Sequence, residues 1–332
     1  MRGFCATLAQ GPDLPAEAER SIAVWQGGVI MAGDGTGQDG ATRTDFMRVD
    51  NFDVRARRIT PADRALLHEL TVGVLWPHRA HDLDVFISLG EGYLATDEIG
   101  RALGSAMYFR AGDDFAMLGM MVTAPRLQTL GTGRWLLRRV MQDCEGCDLR
   151  LSATRQGYRL YESAGFTPLH TIRQHQGMVR GVAVPESVPG MSIRAMTAAD
   201  VPAIRALDHH AYGAERRVTL DRMLELSSGL VSEINGEIRG FAMQRKFGRG
   251  MVIGPLVAED DRMAMALAAP LIQRHQGGFV RLDTPVQSED FSAFLTNAGM
   301  GLYDTVTEMY HGAQRRPLEG SQIYGLASHS LG

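Results

Sequence analysis

Met120-Met-Val-Thr-Ala-Pro-Arg-Leu-Gln-Thr-Leu-Gly-Thr-Gly-Arg-Trp135 is the stretch that decides the fold. Its apolar opening reads as a strand that ends at Val122–Thr123. Pro125 stops that strand, because it cannot donate to a ladder. Gly131 and Gly133 then let the backbone turn sharply and approach a ligand closely before a helix begins. The first turn of such a helix offers free N–H groups and the positive end of its dipole. Strand, glycine loop and helix together make a cradle of backbone amides for a phosphate or pyrophosphate. A bare Gly-x-Gly is common; this one arrives with the strand before it and the helix after it.

Outward from this stretch, the spacing predicts a strand at Val54–Ile59, with Thr60 as N-cap and Pro61 in the first helical turn. A helical pattern through Leu66, Leu67 and Leu70 is broken at Trp76-Pro77, and a second helix covers Asp82 to Leu89. Strands follow at Gly92–Thr96, Leu103–Arg110 and Phe115–Val122. After the glycine loop come a helix at Gly133–Cys144, a strand at Asp148–Ser152, a helix at Gln156–Ala164 and a strand at Thr167–Gln174. Pro185 and Pro189 mark residues 182–190 as a linker. Met191-Ser-Ile-Arg-Ala-Met-Thr-Ala-Ala-Asp200 then repeats the opening Val54-Arg-Ala-Arg-Arg-Ile-Thr-Pro-Ala-Asp63. The order of elements recurs, with a hairpin turning at Asn235-Gly236, a helix at Asp260–Gln273, a strand at Gly278–Asp283, a helix at Glu289–Ala298 and a strand at Leu302–Tyr310. The expected organisation is a flexible extension over 1–46, one unit over 47–181, the linker, a second unit over 191–315 and a tail over 316–332.

Composition limits the function. The 332 residues are 45% hydrophobic and 22% charged, with a net charge of −4, so no global field invites nucleic acid or an anionic membrane surface. No apolar run is long enough to span a bilayer, and the N-terminal apolar stretch is broken by Gln10, Gly11 and Pro12, unlike a signal peptide. A cytoplasmic location is expected. Three cysteines, Cys5, Cys144 and Cys147, make no disulfide framework. Cys144-Glu-Gly-Cys147 has metal spacing but no second pair answers it, and no metal is expected. The glycine-rich run Gly33–Gly40 carries Asp34 and Asp39, which would repel phosphate.

Gln128-x-x-Gly131-x-Gly133, after a strand and an Ala-Pro pair, resembles the acetyl-CoA signature of the GNAT superfamily of N-acetyltransferases. Tyr161-Glu-Ser-Ala-Gly165-Phe166 resembles the same family's Tyr-x-x-x-Gly-Phe hallmark. The likeness covers nearly all of residues 54–180 and implies an α/β (α+β) chain of two tandem GNAT-like domains, each a central mixed, mostly antiparallel sheet flanked by helices. It implies acetyl-CoA as co-substrate. Backbone groups of Met121, Val122 and Thr123 would pair with the pantetheine arm, and Gln128, Thr129, Leu130, Gly131, Thr132, Gly133 and Arg134 would hold the pyrophosphate. Tyr161 would protonate the leaving thiolate, a role that chemistry allows because a tyrosine near pKa 10 can donate to a thiolate whose thiol has a pKa of about 8.5. The plain alternative is a core-packing tyrosine. Thr154 and Gly157 stand where many members carry Asn and Ala; Thr154 can still hydrogen-bond.

Trp76-Pro77-His78-Arg79-Ala80-His81-Asp82 falls where the resembled fold lines its acceptor pocket. His78 or His81 could take a proton from the incoming ammonium, and Arg79 could grip a carboxylate or phosphate; Glu91 is a further candidate base. The alternative is an exposed loop anchored by Trp76. In the second unit no Gly-x-Gly follows the strand, Glu259, Asp260 and Asp261 occupy the phosphate position, and Leu295 stands where the tyrosine belongs. That unit reads as a degenerate, non-catalytic copy, with Asp283 a possible amine contact. The leading reading is acetyl transfer to the primary amine of a small molecule, by a monomer or homodimer. A protein or peptide acceptor, and a non-catalytic acetyl-CoA-binding regulator, remain open.

Overall fold

The computed structural model describes residues 45–49, 52–128, 130–317 and 319–332. The first half runs β1 (Asp45–Val49), β2 (Phe52–Arg58), α1 (Arg64–Gly73), α2 (Ala80–Leu89), β3 (Glu91–Thr96), β4 (Ala102–Ala111), β5 (Phe115–Thr123), α3 (Thr132–Asp143), β6 (Asp148–Ala153), α4 (Tyr158–Glu162) and β7 (Thr167–Met178). The second half repeats it as β8 (Met191–Ala195), α5 (Val201–Tyr212), α6 (Arg217–Leu226), β9 (Ser228–Ile234), β10 (Glu237–Phe247), β11 (Gly250–Ala258), α7 (Asp261–Gln273), β12 (Phe279–Thr284), α8 (Glu289–Asn297) and β13 (Gly301–His311), then adds β14 (Gln322–Gly325). The sequence repeat is also a structural one. Arg57 grips Asp63 through two bonds of 2.7 and 2.6 Å, and Arg194 grips Asp200 through two of 2.8 Å, each pair fixing the entry to its half's first helix.

The halves are joined through their last strands. The strand order is β1-β2-β3-β4-β5-β6-β13-β7-β12-β11-β10-β9-β8. The second half's final strand β13 therefore lies against β6 of the first, and the first half's β7 lies against β12 of the second. Antiparallel pairs dominate; β5–β6 and β11–β12 are the parallel ones.

These two parallel pairs position the site. β5 and β6 pair from Phe115–Asp148 to Leu118–Leu151 and then part, although both strands run on. At the parting point β5 bulges, with Met120 at φ 49. β11 and β12 likewise pair only at Met251–Val280 and Val252–Arg281. In the second half, however, the gap is filled. β14 pairs with β11 at Ala258, Val257 and Leu256, and Leu326 N–H donates to Asp283 O at 2.9 Å. Where the sequence suggests a tail after residue 315, the chain instead supplies a strand to its own second cleft. β1, too, begins two residues inside the stretch expected to be an extension; residues 1–44 lie outside the described residues. Among the described residues no helix is long and apolar enough to cross a membrane.

Candidate active site

The open gap of the first half is the floor of a cavity of about 1220 Å³. β5 contributes Leu118 to Thr123, β6 contributes Leu151 and Ser152, and the loop ahead of α3 contributes Gln128, Gly131 and Gly133. Gly131 is the N-cap of α3 and sits at φ 92, where a side chain is strained. The first bond of α3 runs from Trp135 N to Gly131 O, at 3.0 Å. The amides of Thr132, Gly133 and Arg134 precede it and have no helical acceptor. A Cβ on Gly133 would lie 3.1 Å from Thr123 Oγ1, so glycine lets the helix close on the strand end. Gln128 Nε2 donates to Thr123 O at 3.4 Å. Arg134, Arg155 and Arg159 line the same cavity and add positive charge beside this amide cradle. A pyrophosphate-bearing cofactor with a long polar arm fits this end, with a cradle for its phosphates and an unpaired strand edge for its arm. Leu130 and Thr132 do not line the cavity with their side chains: Leu130 faces outward and Thr132 inward, so only their backbones can serve. Thr129 lies outside the described residues.

Tyr161 and Thr154 line the same cavity. The Tyr161 ring packs edge-on to Phe166 at 6.1 Å and lies close to Gly157, where a Cβ would meet it at 2.9 Å. Gly157 in place of the family's usual alanine thus makes room for the tyrosine. Burial raises the Tyr161 pKa, which keeps the phenol protonated.

The loop between α1 and α2 does reach the cavity, through Trp76, His78 and Arg79. The His78 ring is enclosed edge-on by Trp76, Phe86 and Phe247, at 5.6, 5.4 and 5.6 Å. Burial, with the Arg281 guanidinium a lesser cause, pushes its pKa down to about 3. A ring so reluctant to take a proton is a poor general base, and we place His78 as a wall of the cavity. Three further sequence expectations change. His81 is exposed and turned to Asp82 Oδ1 at 3.3 Å, off the cavity wall. Asp283 is 1% exposed and occupied by Arg281, whose Nε and Nη2 donate to it at 2.9 and 2.7 Å. It cannot meet an amine, and instead holds His329 at 3.4 Å. Glu91 is tied to Tyr108 at 3.0 Å and to Arg58 at 3.5 Å, and lies off the cavity.

His78 gives a pH prediction. Its folded pKa lies below the ordinary value of 6.5. Its contribution to stability is therefore present above that value and lost as the pH falls from there toward 3. Between pH 7 and pH 5 the loss is about 2 kcal/mol. Urea unfolding at the two pH values checks this: His78→Phe is expected to remove that share of the pH dependence.

Three groups of lining residues are absent from the sequence reading of the site. Ser328, His329 and Ser330 follow β14 and reach back to the first half, where Ser330 Oγ accepts from Met120 N–H at 3.4 Å, beside the bulge. Gln174 and Gln176 of β7 line the cavity with Arg281 of β12 across from them. Asp304 is the one carboxylate among the described lining residues. A smaller hollow of about 430 Å³, between residues 182–193 and α7, is largely apolar, with Glu186 its one ionisable lining group. Cys144 is buried and burial pushes its thiol up to about 12, which makes it a poor metal ligand.

The second half offers no comparable cradle. Asp260 caps α7 by accepting from Met263 N–H at 2.8 Å, Asp261 accepts from Tyr324 Oη at 2.8 Å, and Glu259 pairs with Arg239 at 2.6 Å. All three carboxylates serve the fold.

Comparison with known proteins agrees with this geometry. Residues 89–168 and residues 204–325 each match an acetyltransferase (GNAT) domain. The chain belongs to the GNAT acetyltransferase family. It is an acyltransferase with two GNAT domains in tandem. An uncharacterized N-acetyltransferase, YitH of Bacillus subtilis, is 25% identical over 223 residues, 65% of this chain and 76% of that protein. A putative acetyltransferase from Pyrococcus horikoshii shares the fold at a TM-score of 0.68 and 21% identity, covering 84% of this chain and 96% of that one. A tandem GNAT protein from the clavulanic acid biosynthesis pathway does so at 0.57 and 12%, covering 79% and 99%.

Proposed function

We propose that this GNAT protein transfers an acetyl group from acetyl-CoA to the primary amine of a small molecule, and that the chemistry occurs in the first half. The observation that carries the reading is the single cavity that joins the amide cradle of α3, the parted edge of β5 and the Tyr161 ring. Bound acetyl-CoA supplies the activated acyl carbonyl. Thr132, Gly133 and Arg134 hold its pyrophosphate through their amides, and the β6-facing edge of β5, from Met121 to Thr123, receives its arm as though it were a strand. Tyr161 keeps its proton until a thiolate develops beside it, and then gives it up. Asp304 draws in the acceptor ammonium, which loses one proton to solvent; the neutral amine then attacks the acyl carbon, the C–S bond breaks as the C–N bond forms, and the second amine proton replaces the one Tyr161 gives up. Trp76, His78 and Phe247 supply aromatic wall to the same cavity.

A cavity walled by both halves favours a small acceptor over a protein chain. A pure binder of acetyl-CoA would have no use for a protonated tyrosine at the sulfur position. The test is thiol release from acetyl-CoA by the purified protein across amines, amino acids, polyamines, aminoglycosides and short peptides. Release that depends on one class of small amine supports the reading. Release with peptides alone, or binding of acetyl-CoA without any release, overturns it.

A further inference from the structure

Asp82 joins the two halves at the mouth of the cavity. Its carboxylate is 1% exposed, and its Oδ2 accepts two backbone N–H groups: Arg79 N at 2.8 Å and Gly248 N at 2.9 Å. One oxygen thus ties the α1–α2 loop of the first half to the β10–β11 turn of the second. The residues that this tie sets side by side are arginines, Arg79 and the neighbour of Gly248, Arg249. Both line the cavity and both are exposed. The Arg249 guanidinium lies 3.9 Å from the centre of the Phe279 ring, a contact that fixes its direction without neutralising it. Neither makes an ion pair among the described residues, whereas the third arginine at this end, Arg281, is already neutralised by Asp283 at 2.7 Å. Two uncompensated guanidiniums therefore face a cavity with one lining carboxylate, Asp304.

We propose that the acceptor carries an anionic group, a carboxylate or a phosphate, in addition to its amine, and that Arg79 and Arg249 hold that group at the mouth. The inference rests on the transferase reading above. Guanidinium suits this task because its planar fork matches either anion, and two of them hold it in a fixed orientation. Asp304, of opposite sign in the same cavity, leaves the ammonium a separate place. Arg134, Arg155 and Arg159, across the cavity beside the amide cradle, remain for the cofactor phosphates.

The experiment measures thiol release by the full-length protein with amino acids, their C-terminal amides and aminoalkyl phosphates, alongside polyamines and aminoglycosides. An anionic acceptor is expected to exceed its neutral analogue at least 10-fold in kcat/KM, and the ranking of carboxylates against phosphates identifies the anion. Arg249→Gln and Arg79→Gln are each expected to raise the KM of the anionic acceptor about 10-fold. Turnover of the neutral analogue, the acetyl-CoA Kd by calorimetry and the thermal midpoint should stay unchanged. Equal turnover of amino acid and amide overturns the inference. So does an effect of the arginine variants on the acetyl-CoA Kd in place of the acceptor KM, which would assign these residues to the cofactor. Activity with polyamines or aminoglycosides alone overturns the anion site and leaves the transferase reading standing; activity with no amine overturns both.

Discussion

Tyr161→Phe is expected to lower kcat by roughly 10²- to 10³-fold while leaving the acetyl-CoA Kd within about threefold of wild type. The ring carries two functions that this substitution separates. It packs edge-on to Phe166 and against Gly157, and phenylalanine keeps that packing. Its hydroxyl is the proton source. Burial raises the phenol pKa, and the same surroundings make a nascent thiolate a stronger base, so the proton moves when the sulfur departs and not before. Stopped assays of thiol release and calorimetric titration of acetyl-CoA check the two halves of the prediction. A variant that turns over as fast as wild type would show that Tyr161 is a packing residue.

The second large effect is on folding. Arg216 is 3% exposed and donates to both oxygens of Asp208, at 2.8 and 2.7 Å. Its Nη1 also donates to Leu331 O and Gly332 O, at 2.8 and 2.7 Å, and its guanidinium lies 4.0 Å from the centre of the Tyr212 ring. Arg216→Met leaves a buried carboxylate uncompensated and Leu331 O without its donor, while Gly332 O keeps the Ala327 N–H at 2.8 Å. The expected loss is about 3–5 kcal/mol of unfolding free energy, read as a lower urea midpoint. Asp208→Leu in the same chain should restore much of it, since the cost lies in the unpaired charge more than in the lost pair. The same variant unlatches residues 328–332, so catalytic efficiency should fall with stability. An unchanged midpoint would show that the tail is not anchored here.

The sequence made the first half legible because its signals are local. The strand, loop and helix around Gly131 and Gly133 need no distant partner to be read. Nor does Tyr161 with Gly165-Phe166, or the Asn235-Gly236 hairpin. The loop at Trp76, which the sequence leaves between a pocket wall and an exposed loop, reaches the cavity through Trp76, His78 and Arg79. What stayed hidden is non-local. The exchange of β7 and β13 between halves depends on which penultimate strand each one meets, and β7 could satisfy either. β14 is four residues long, with too few positions for an alternation to register. Ser330 gains a place beside Met120 only because β14 sets the direction of the chain after it. For Asp283 a signal was present. Arg281 and Asp283 are two apart on one strand and share a face, so the carboxylate had a partner before any amine arrived. The carboxylates Glu259, Asp260 and Asp261 stand at a helix start, which favours negative charge, and each serves the fold.

The central claim is that one cleft receives the cofactor while its counterpart is filled by the chain itself. Calorimetric titration of acetyl-CoA into the full-length protein tests it most directly. The account predicts one site per chain, abolished by Gly133→Val, whose added side chain would meet Thr123 and Leu160 at the cradle. Two sites per chain, or one that survives Gly133→Val, would place the cofactor elsewhere and contradict it.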